Sequence, residues 1–190
     1  MTKHVKRNTV HYKQEMMEIS ATEVQQVRQV YFYSPHEKPF GVFSNFALYP
    51  VTIQGKTYKT TEHYFQSQKF VGTTSENDVI DAPTPAAAAA IGRDRKRPLR
   101  PDWEQVKDDV MRVAVLAKFQ QYTKLKDILL ATGDVQIVEH TKKDKYWGDG
   151  GDGTGLNRLG QILMQVRYFM QHRIWPANQH TINKIQNVIK

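Results

Sequence analysis

A carboxylate and an amine lie at helical spacing near the middle of the chain. Glu62, Gln66 and Lys69 occupy positions i, i+4 and i+7 of a predicted helix over residues 62–70, so they share one face of it. Such spacing usually marks a solvated charge pair. In a ligand site it would present an acid and an amine together to a substrate, where a carboxylate activates water and a desolvated amine acts as a nucleophile.

A glycine-dense loop runs into an amphipathic helix within residues 140–167. Five glycines lie in residues 148–155, and a periodic apolar run follows them. Glycine lets a backbone approach a ligand closely, and a helix N-terminus offers free N–H groups to an anion. A mobile surface loop is the alternative. Trp147 and the oppositely charged Asp144 and Arg158 flank the glycines, which favours a ligand site.

Two named motifs fail on this loop. Gly148, Gly150 and Gly153 have the spacing of the dinucleotide fingerprint, but no second parallel strand follows the helix as that unit requires. Asp149 and Asp152 are three residues apart with no following Glu, which is a weak match to a calcium loop. The sequence therefore predicts neither a bound cofactor nor a metal ion.

Further candidates for ligand contacts lie in two other stretches. A basic run between Gly92 and Pro101 favours phosphate binding, although such runs are usually solvated; its members are Arg93, Arg95, Lys96, Arg97 and Arg100. Arg93 is expected to matter most, because it directly follows a glycine. Trp103 is either a core residue or a stacking platform for a base. Ser44 and Asn45, set between phenylalanines, are expected to face a ligand.

Length and composition narrow the class of protein. The 190 residues favour one domain, and the net charge of +8 favours anionic partners such as phosphates, nucleotides or nucleic acid. The chain has no cysteine, which excludes disulfides and a thiolate nucleophile. It also lacks a long apolar run and an apolar N-terminal signal, so we expect a cytoplasmic protein without a membrane span.

The predicted elements describe a mostly helical chain. Residues 1–28 form a basic N-terminal extension with a weak helix over 14–29, and residues 173–190 form a tail. Residues 73–82 are indeterminate. The strands are predicted at 30–33, 47–53 and 56–59, with a turn at Gln54-Gly55, and at 135–139. Helices are predicted at 62–70, with Thr60 or Thr61 as N-cap, and at 85–91, with Gly92 just past the end. A further helix is predicted to begin at an Asp102–Gln105 capping box, and two more are predicted at 124–131 and 157–172.

Five motifs resemble one known family in order and spacing. They are FSNF (43–46), TTEHYFQSQKF (60–70), GRDRKRPLRPDW (92–103), KFQQ (118–121) and YWGDGGDGTGLNRLGQILMQVR (146–167). The resemblance is to the NADAR family and covers roughly residues 30–170. It implies an α+β, mostly α-helical compact single domain with a small β-hairpin or sheet, over residues 29–172. One departure is Tyr58-Lys59, where the family usually has Trp-Pro, so the rim of the pocket is expected to differ.

The resemblance also implies an activity and a site. The family is similar to N-glycosidases of riboflavin intermediates and includes domains that remove ADP-ribose from guanine in DNA. The implied substrate is an ADP-ribosylated nucleotide or a phosphoribosylamino base, with DNA as a further partner. The implied catalytic residues are Glu62, Lys69 and Asp149. The implied substrate-binding residues are Ser44, Asn45, Arg93, Trp103, Asp144, Trp147, Gly148, Gly150, Asn157 and Arg158.

Two mechanisms and a second function remain open. A carboxylate can stabilise an oxocarbenium-like state while it activates water, or a lysine can form a Schiff base with C1 of the opened sugar. The alternative function is a non-catalytic module that binds nucleotides or nucleic acid. Glu62, Lys69 and Asp149 together favour the enzyme, because binding a phosphate requires no carboxylate.

Overall fold

The computed structural model describes residues 29–175, which form an α+β domain dominated by helices. The fold class predicted from the sequence is confirmed. The basic extension at 1–28 and residues 176–190 of the predicted tail lie outside the described residues. The strands are β1 (Gln29–Phe32), β2 (Val51–Ile53), β3 (Lys56–Tyr58) and β4 (Gln136–Glu139). The helices are α1 (Thr61–Ser67), α2 (Thr74–Asp81), α3 (Pro85–Arg93), α4 (Trp103–Gln121), α5 (Thr123–Ala131) and α6 (Arg158–His172), with 3-10 turns at Phe40–Phe43 and Gln68–Phe70.

The strands form two separate two-stranded sheets. β1 pairs in parallel with β4, which joins segments about a hundred residues apart and sets Phe32 opposite Glu139. β2 and β3 form the predicted antiparallel hairpin, with Val51 opposite Tyr58. The turn residues Gln54 and Gly55 both have positive φ, at 50° and 75°. The favoured two-residue hairpin turn requires this backbone, so the predicted hairpin is confirmed.

α1 begins as predicted, at a threonine cap. The Thr60 hydroxyl oxygen accepts a hydrogen bond from the His63 N–H at 3.3 Å and so satisfies one donor of the first turn. Every residue of α1 is buried, because α2, α3 and α4 pack around it. A helix buried on all sides is the central element of this part of the fold.

Three local predictions are corrected. α2 occupies residues that carried no predicted element. Gly92 lies inside α3 and does not end it, and the reason is close packing: a Cβ there would lie 1.8 Å from Gln66 Oε1. Asp102 does not cap α4 with its side chain, because its carboxylate accepts two hydrogen bonds, at 2.6 and 2.9 Å, from the Arg100 guanidinium.

α4 forms the centre of the main hydrophobic core. Its apolar side chains pack against α6 and α1, and buried members include Met111, Leu116 and Phe119. Phe70, Val79 and Ala88 form a smaller cluster between the 3-10 turn after α1 and helices α2 and α3. No helix within residues 29–175 is long and apolar enough to cross a membrane.

Candidate active site

A cleft of about 380 Å³ opens beside α1, at the point where β4 meets the glycine-rich loop. Seven residues predicted for the site line it: Ser44, Asn45, Glu62, Lys69, Arg93, Asp144 and Trp147. The remaining lining residues are Tyr33, Phe46, Phe65, Gln66, Met111, Glu139, Thr141, Lys143 and Leu159. The volume lies within the usual range for a small-molecule site.

The acidic and amine face of α1 forms one wall of this cleft. The exposed fractions of Glu62 and Gln66 are only 7% and 6%, so this face is not the solvated charge stripe that such spacing usually marks. Gln66 Nε2 donates a hydrogen bond to Glu62 Oε1 at 2.7 Å and fixes the carboxyl group. Burial raises the pKa of Glu62, while the Gln66 hydrogen bond and the charges of Lys69 and Arg93 oppose that rise.

Lys69 lies one turn beyond Gln66 on the same face. Its Nζ donates a hydrogen bond to the Gly92 carbonyl at 2.9 Å and lies 5.8 and 5.5 Å from the ring centres of Phe65 and Trp103. Burial lowers the pKa of Lys69, and the nearby Glu62 carboxyl opposes this. A lysine of this kind has a larger neutral fraction than an exposed one, which a nucleophilic amine needs.

The FSNF segment forms a second wall and is fixed to α1. The Asn45 side-chain oxygen accepts a hydrogen bond from the Thr61 hydroxyl at 3.0 Å, and its carbonyl accepts one from the Glu62 N–H at 3.2 Å. Behind this wall, Lys118 Nζ donates to the Ser44 carbonyl at 2.9 Å. The backbone of the segment is therefore held on both sides, with Ser44 and Asn45 at the cleft.

Asp144 and Trp147 reach the cleft from the loop after β4. Asp144 Oδ1 accepts hydrogen bonds from the N–H groups of Tyr146 and Trp147, at 2.7 and 2.8 Å, and so shapes the turn that carries the tryptophan. The Trp147 ring packs edge-on against Phe65, with 5.3 Å between ring centres. This contact couples the loop to α1.

The glycine-rich loop does not present an open anion cradle at the point where α6 begins. The N–H groups of Asn157, Arg158 and Leu159 donate to the carbonyls of Gly148, Tyr146 and Trp147 at 2.9, 3.0 and 3.1 Å. These donors are therefore not free for a phosphate. Gly148 serves close packing, because a Cβ there would lie 2.6 Å from the Thr141 methyl group.

Asp149 lies outside the cleft lining, where it holds the loop together. Its carboxylate accepts hydrogen bonds from His140 Nδ1 at 2.7 Å, from the Thr141 N–H at 3.1 Å and from the Gly151 N–H at 2.8 Å. Burial opposes ionisation, but these donors outweigh it and lower the pKa of Asp149. Its oxygens are thus occupied by the protein, which differs from the predicted catalytic position.

Two polar residues at the start of α6 also have structural partners. Asn157, with φ of 48°, accepts from the Glu139 N–H at 3.0 Å and donates to the Ile137 carbonyl at 2.9 Å. Arg158 pairs with Asp108 of α4, through Nε at 3.0 Å and through Nη2. It does not pair with Asp144, the acid on the other side of the glycines. Neither Asn157 nor Arg158 lines the cleft.

Three further predicted binding residues lie behind the cleft wall. Trp103 is 6% exposed and packs on Phe65 with 5.1 Å between ring centres, so it is a core residue rather than a stacking platform. Gly148 and Gly150 are buried in the loop and absent from the lining. The departure at Tyr58-Lys59 also lies away from the cleft: Tyr58 packs on Tyr64 and Lys59 bonds the Asp81 carbonyl.

The basic run divides into cations with an acidic partner in the described part of the chain and cations that are exposed. Arg97 binds Asp78 and Asp94, and Arg100 binds Asp102. Arg93, Arg95 and Lys96 are exposed. Of the whole run only Arg93 lines the cleft, as its place beside Gly92 led us to expect.

Sequence reasoning missed several polar lining residues, above all Glu139, Thr141 and Lys143. Glu139 ends a strand that was predicted, and strand ends commonly carry functional residues, but the alternation of the strand alone does not show which way its last side chain faces. Within residues 29–175 no group of three His, Asp or Glu side chains is arranged to hold a metal ion.

Comparisons with known proteins agree with the resemblance seen in the motifs. The NADAR domain family model matches residues 31–171. N-glycosidase YbiA of Escherichia coli is 48% identical over 154 residues, which are 80% of this chain and 96% of that protein. The NMR structure of E. coli YbiA has a TM-score of 0.72 and 44% identity, and covers 83% of this chain and 96% of that one. A riboflavin biosynthesis protein of Vibrio vulnificus is 43% identical over 142 residues, 75% of this chain and 38% of that protein.

The fold and the cleft, with its buried acid and half-buried amine, define a small α+β enzyme domain. The chain belongs to the NADAR family. The predicted enzyme class, a hydrolase of N-glycosyl bonds, is confirmed, and the alternative of a non-catalytic binding module is not supported.

Proposed function

We propose that this N-glycosidase hydrolyses the bond between C1 of a phosphorylated ribose and an exocyclic amine of a base. The observation that carries the proposal is that one cleft brings together the buried Glu62 carboxyl and the Lys69 amine, with the exposed Arg93 guanidinium in the same lining. An acid, an amine and a phosphate-binding cation are the groups that this reaction needs.

Glu62 is proposed to act on C1 and on water. As the C1–N bond breaks, positive charge develops at C1, and a carboxylate beside it stabilises that charge and accepts a proton from the attacking water. The hydrogen bond from Gln66 supports this role, because it holds Glu62 in one orientation and favours the ionised form.

The role of Lys69 differs between the two possible routes of hydrolysis. In direct hydrolysis it positions the substrate as a cation; in the Schiff-base route its neutral amine bonds C1 of the opened sugar and is later released by water. Borohydride distinguishes them, because it traps an imine covalently on the enzyme. If the Schiff-base route holds, Lys69→Arg abolishes both trapping and turnover, since arginine keeps the charge but forms no imine. If Lys69→Arg stays active and borohydride traps nothing on the wild-type enzyme, the reaction follows direct hydrolysis.

Two substrates fit the proposed bond. A ribosylaminopyrimidine phosphate is favoured by the relative from Vibrio vulnificus that is named a riboflavin biosynthesis protein. ADP-ribosylated guanine, free or in DNA, is favoured by the net charge of +8 and by exposed cations at or near the cleft, Arg93, Arg95 and Lys143. Both share the ribose C1–exocyclic amine bond and differ in the phosphate group and in the base.

The experiment is one panel read by mass spectrometry. Substoichiometric enzyme is incubated with each substrate, and release of the free base and of the ribose fragment is measured, with Glu62→Gln as the matched inactive variant. Multiple turnovers by wild type on one substrate, lost in Glu62→Gln, support the proposal and select the substrate. Binding without release of base from either substrate would reject it.

A further inference from the structure

A second glutamate faces the same cleft from a fixed strand end. Glu139 is the last residue of β4 and lines the cleft together with Glu62. Its N–H donates to Asn157 Oδ1 at 3.0 Å, and its carbonyl accepts from the Asp149 N–H at 2.9 Å. The parallel pairing with Phe32 of β1 holds the strand itself. A side chain on such a backbone has a defined position relative to the substrate space.

The carboxyl group of Glu139 differs from the other acids around the cleft in its hydrogen bonding. Glu62 accepts a hydrogen bond from a side-chain amide, Asp144 accepts two from backbone N–H groups, and Asp149 accepts three. Among residues 29–175 no donor bonds the carboxyl of Glu139. Within that part of the chain, Glu139 is therefore the acid of this group with both oxygens free for a ligand, whereas one oxygen of Glu62 and one of Asp144 already accept hydrogen bonds.

The charges that face Glu139 favour its protonated form. Glu62 approaches from α1, and Asp144 and Asp149 from the loop. The other titratable groups of the cleft lining are Tyr33 at the end of β1, Lys143 on the loop, and Lys69 and Arg93 on the Glu62 side. Burial, followed by the repulsion from the three acids, raises the pKa of Glu139 to about 8. Two acids in unlike surroundings are the pattern by which enzymes separate an acid from a base.

We propose that Glu139 is the general acid of this enzyme, donating its proton to the exocyclic nitrogen as that nitrogen leaves C1. This inference rests on the proposed function, and it assigns Glu62 and Glu139 opposite roles. An amine departs poorly as an anion, so a proton supplied from the leaving-group side lowers the barrier.

In the direct route of hydrolysis, the step balances without any further reactant. The oxygen of a water molecule forms a bond to C1, and the C1–N bond breaks with its electron pair on nitrogen. Glu62 takes a proton from that water, and the proton of Glu139 passes to nitrogen. The products are a ribose with a C1 hydroxyl group and a neutral free amine, after which Glu62 releases a proton to solvent and Glu139 takes one up.

The test uses Glu139→Gln, which keeps the shape of the side chain and removes no hydrogen bond of the described structure. Asp134→Asn is the matched control, an exposed acid just before β4 that does not line the cleft. On the substrate that the wild type cleaves, we expect Glu139→Gln to lower kcat by about 10²- to 10⁴-fold with little change in KM. Asp134→Asn should retain wild-type values.

The pH profile separates a proton donor from a merely structural residue. A general acid works in its protonated form, so wild-type kcat should fall as the pH rises through about 8, and Glu139→Gln should lack that fall. In ¹³C NMR of the glutamate carboxyls, a group titrating near that pH should be present in the wild type and absent in the variant.

Three results overturn parts of this scheme in distinguishable ways. If Glu139→Gln keeps the wild-type kcat, or if its reduced kcat still falls near the same pH, Glu139 is not the general acid. The proposed glycosidase function is unaffected by either result. Absence of the titrating carboxyl from wild type rejects it independently of any substrate. Failure of wild type to release base from either substrate rejects the proposed function together with this inference.

Discussion

Lys118 is a buried cation that makes the stability of the fold depend on pH. Its side chain is 1% exposed, and its Nζ donates to the Ser44 carbonyl at 2.9 Å. No acid within residues 29–175 forms a salt bridge with it. Burial lowers the pKa of Lys118 to about 7. The substitution Lys118→Met keeps an unbranched side chain and removes the titrating group.

The sign and size of the effect follow from proton linkage. In the unfolded chain the pKa of a lysine is about 10.4, so between about pH 7 and pH 10 the unfolded state binds one proton more than the folded state. The free energy of unfolding then rises with pH, by about 1.4 kcal/mol per pH unit for this one group. Between about pH 7.5 and pH 9, Lys118 therefore raises the free energy of unfolding by roughly 2 kcal/mol. It stops growing above about pH 10, where both states are neutral.

Urea unfolding at these two pH values measures the effect. Other groups titrate in the same range, so the quantity of interest is the change in unfolding free energy for wild type minus the change for Lys118→Met. We expect a difference of roughly 2 kcal/mol. Lys124→Met, on the exposed side of α5, is the matched control and should behave as wild type. Equal pH dependence in wild type and Lys118→Met would show that Lys118 titrates normally in the folded protein and refute the reasoning.

Three further predictions concern the cleft and its support. Glu62→Gln should keep KM and lose at least roughly a hundredfold in kcat, the scale of a general base or charge stabiliser; unchanged kcat in a folded variant would reject the role. Arg93→Ala should raise KM well above the effect of Lys96→Ala, because Arg93 alone of the two lines the cleft; equal effects would indicate a diffuse basic surface. Gly160→Ala should cost about 1–3 kcal/mol in thermal unfolding, because its Cβ would lie 2.1 Å from the Ile137 carbonyl, and an unchanged Tm would contradict that packing.

Local sequence patterns were sufficient for the elements that carry the site. The Gln54-Gly55 turn, the Thr60 cap and the i, i+4 pair of Glu62 and Gln66 in α1 each act over a few residues and are present as predicted. The predicted helix ends earlier than expected, at Ser67, and Lys69 lies on the 3-10 turn that follows it. The place of Arg93 beside Gly92 likewise predicted its approach to the cleft. Such features depend on backbone geometry and on neighbours in the chain, which is why a single sequence contains them.

Long-range packing determines the burial and the hydrogen bonding of the residues at the site. Spacing places Glu62 and Lys69 on one face, but only the helices around α1 turn that face from a solvated stripe into a desolvated wall. The glycine-rich loop has the composition of an anion cradle, yet its carbonyls accept hydrogen bonds from the N–H groups at the start of α6.

The charge partners also depended on the tertiary structure. Arg158 pairs with Asp108, which lies 50 residues away, rather than with the nearby Asp144. Glu139 gains its three acidic neighbours only because the loop folds back over the strand end and α1 lies across the cleft. The order of residues alone establishes which side chains are available and which of them share a local face. Burial and the identity of the nearest charge are set by contacts between distant segments, so the acids, amines and cations that meet at the cleft follow from the folded chain.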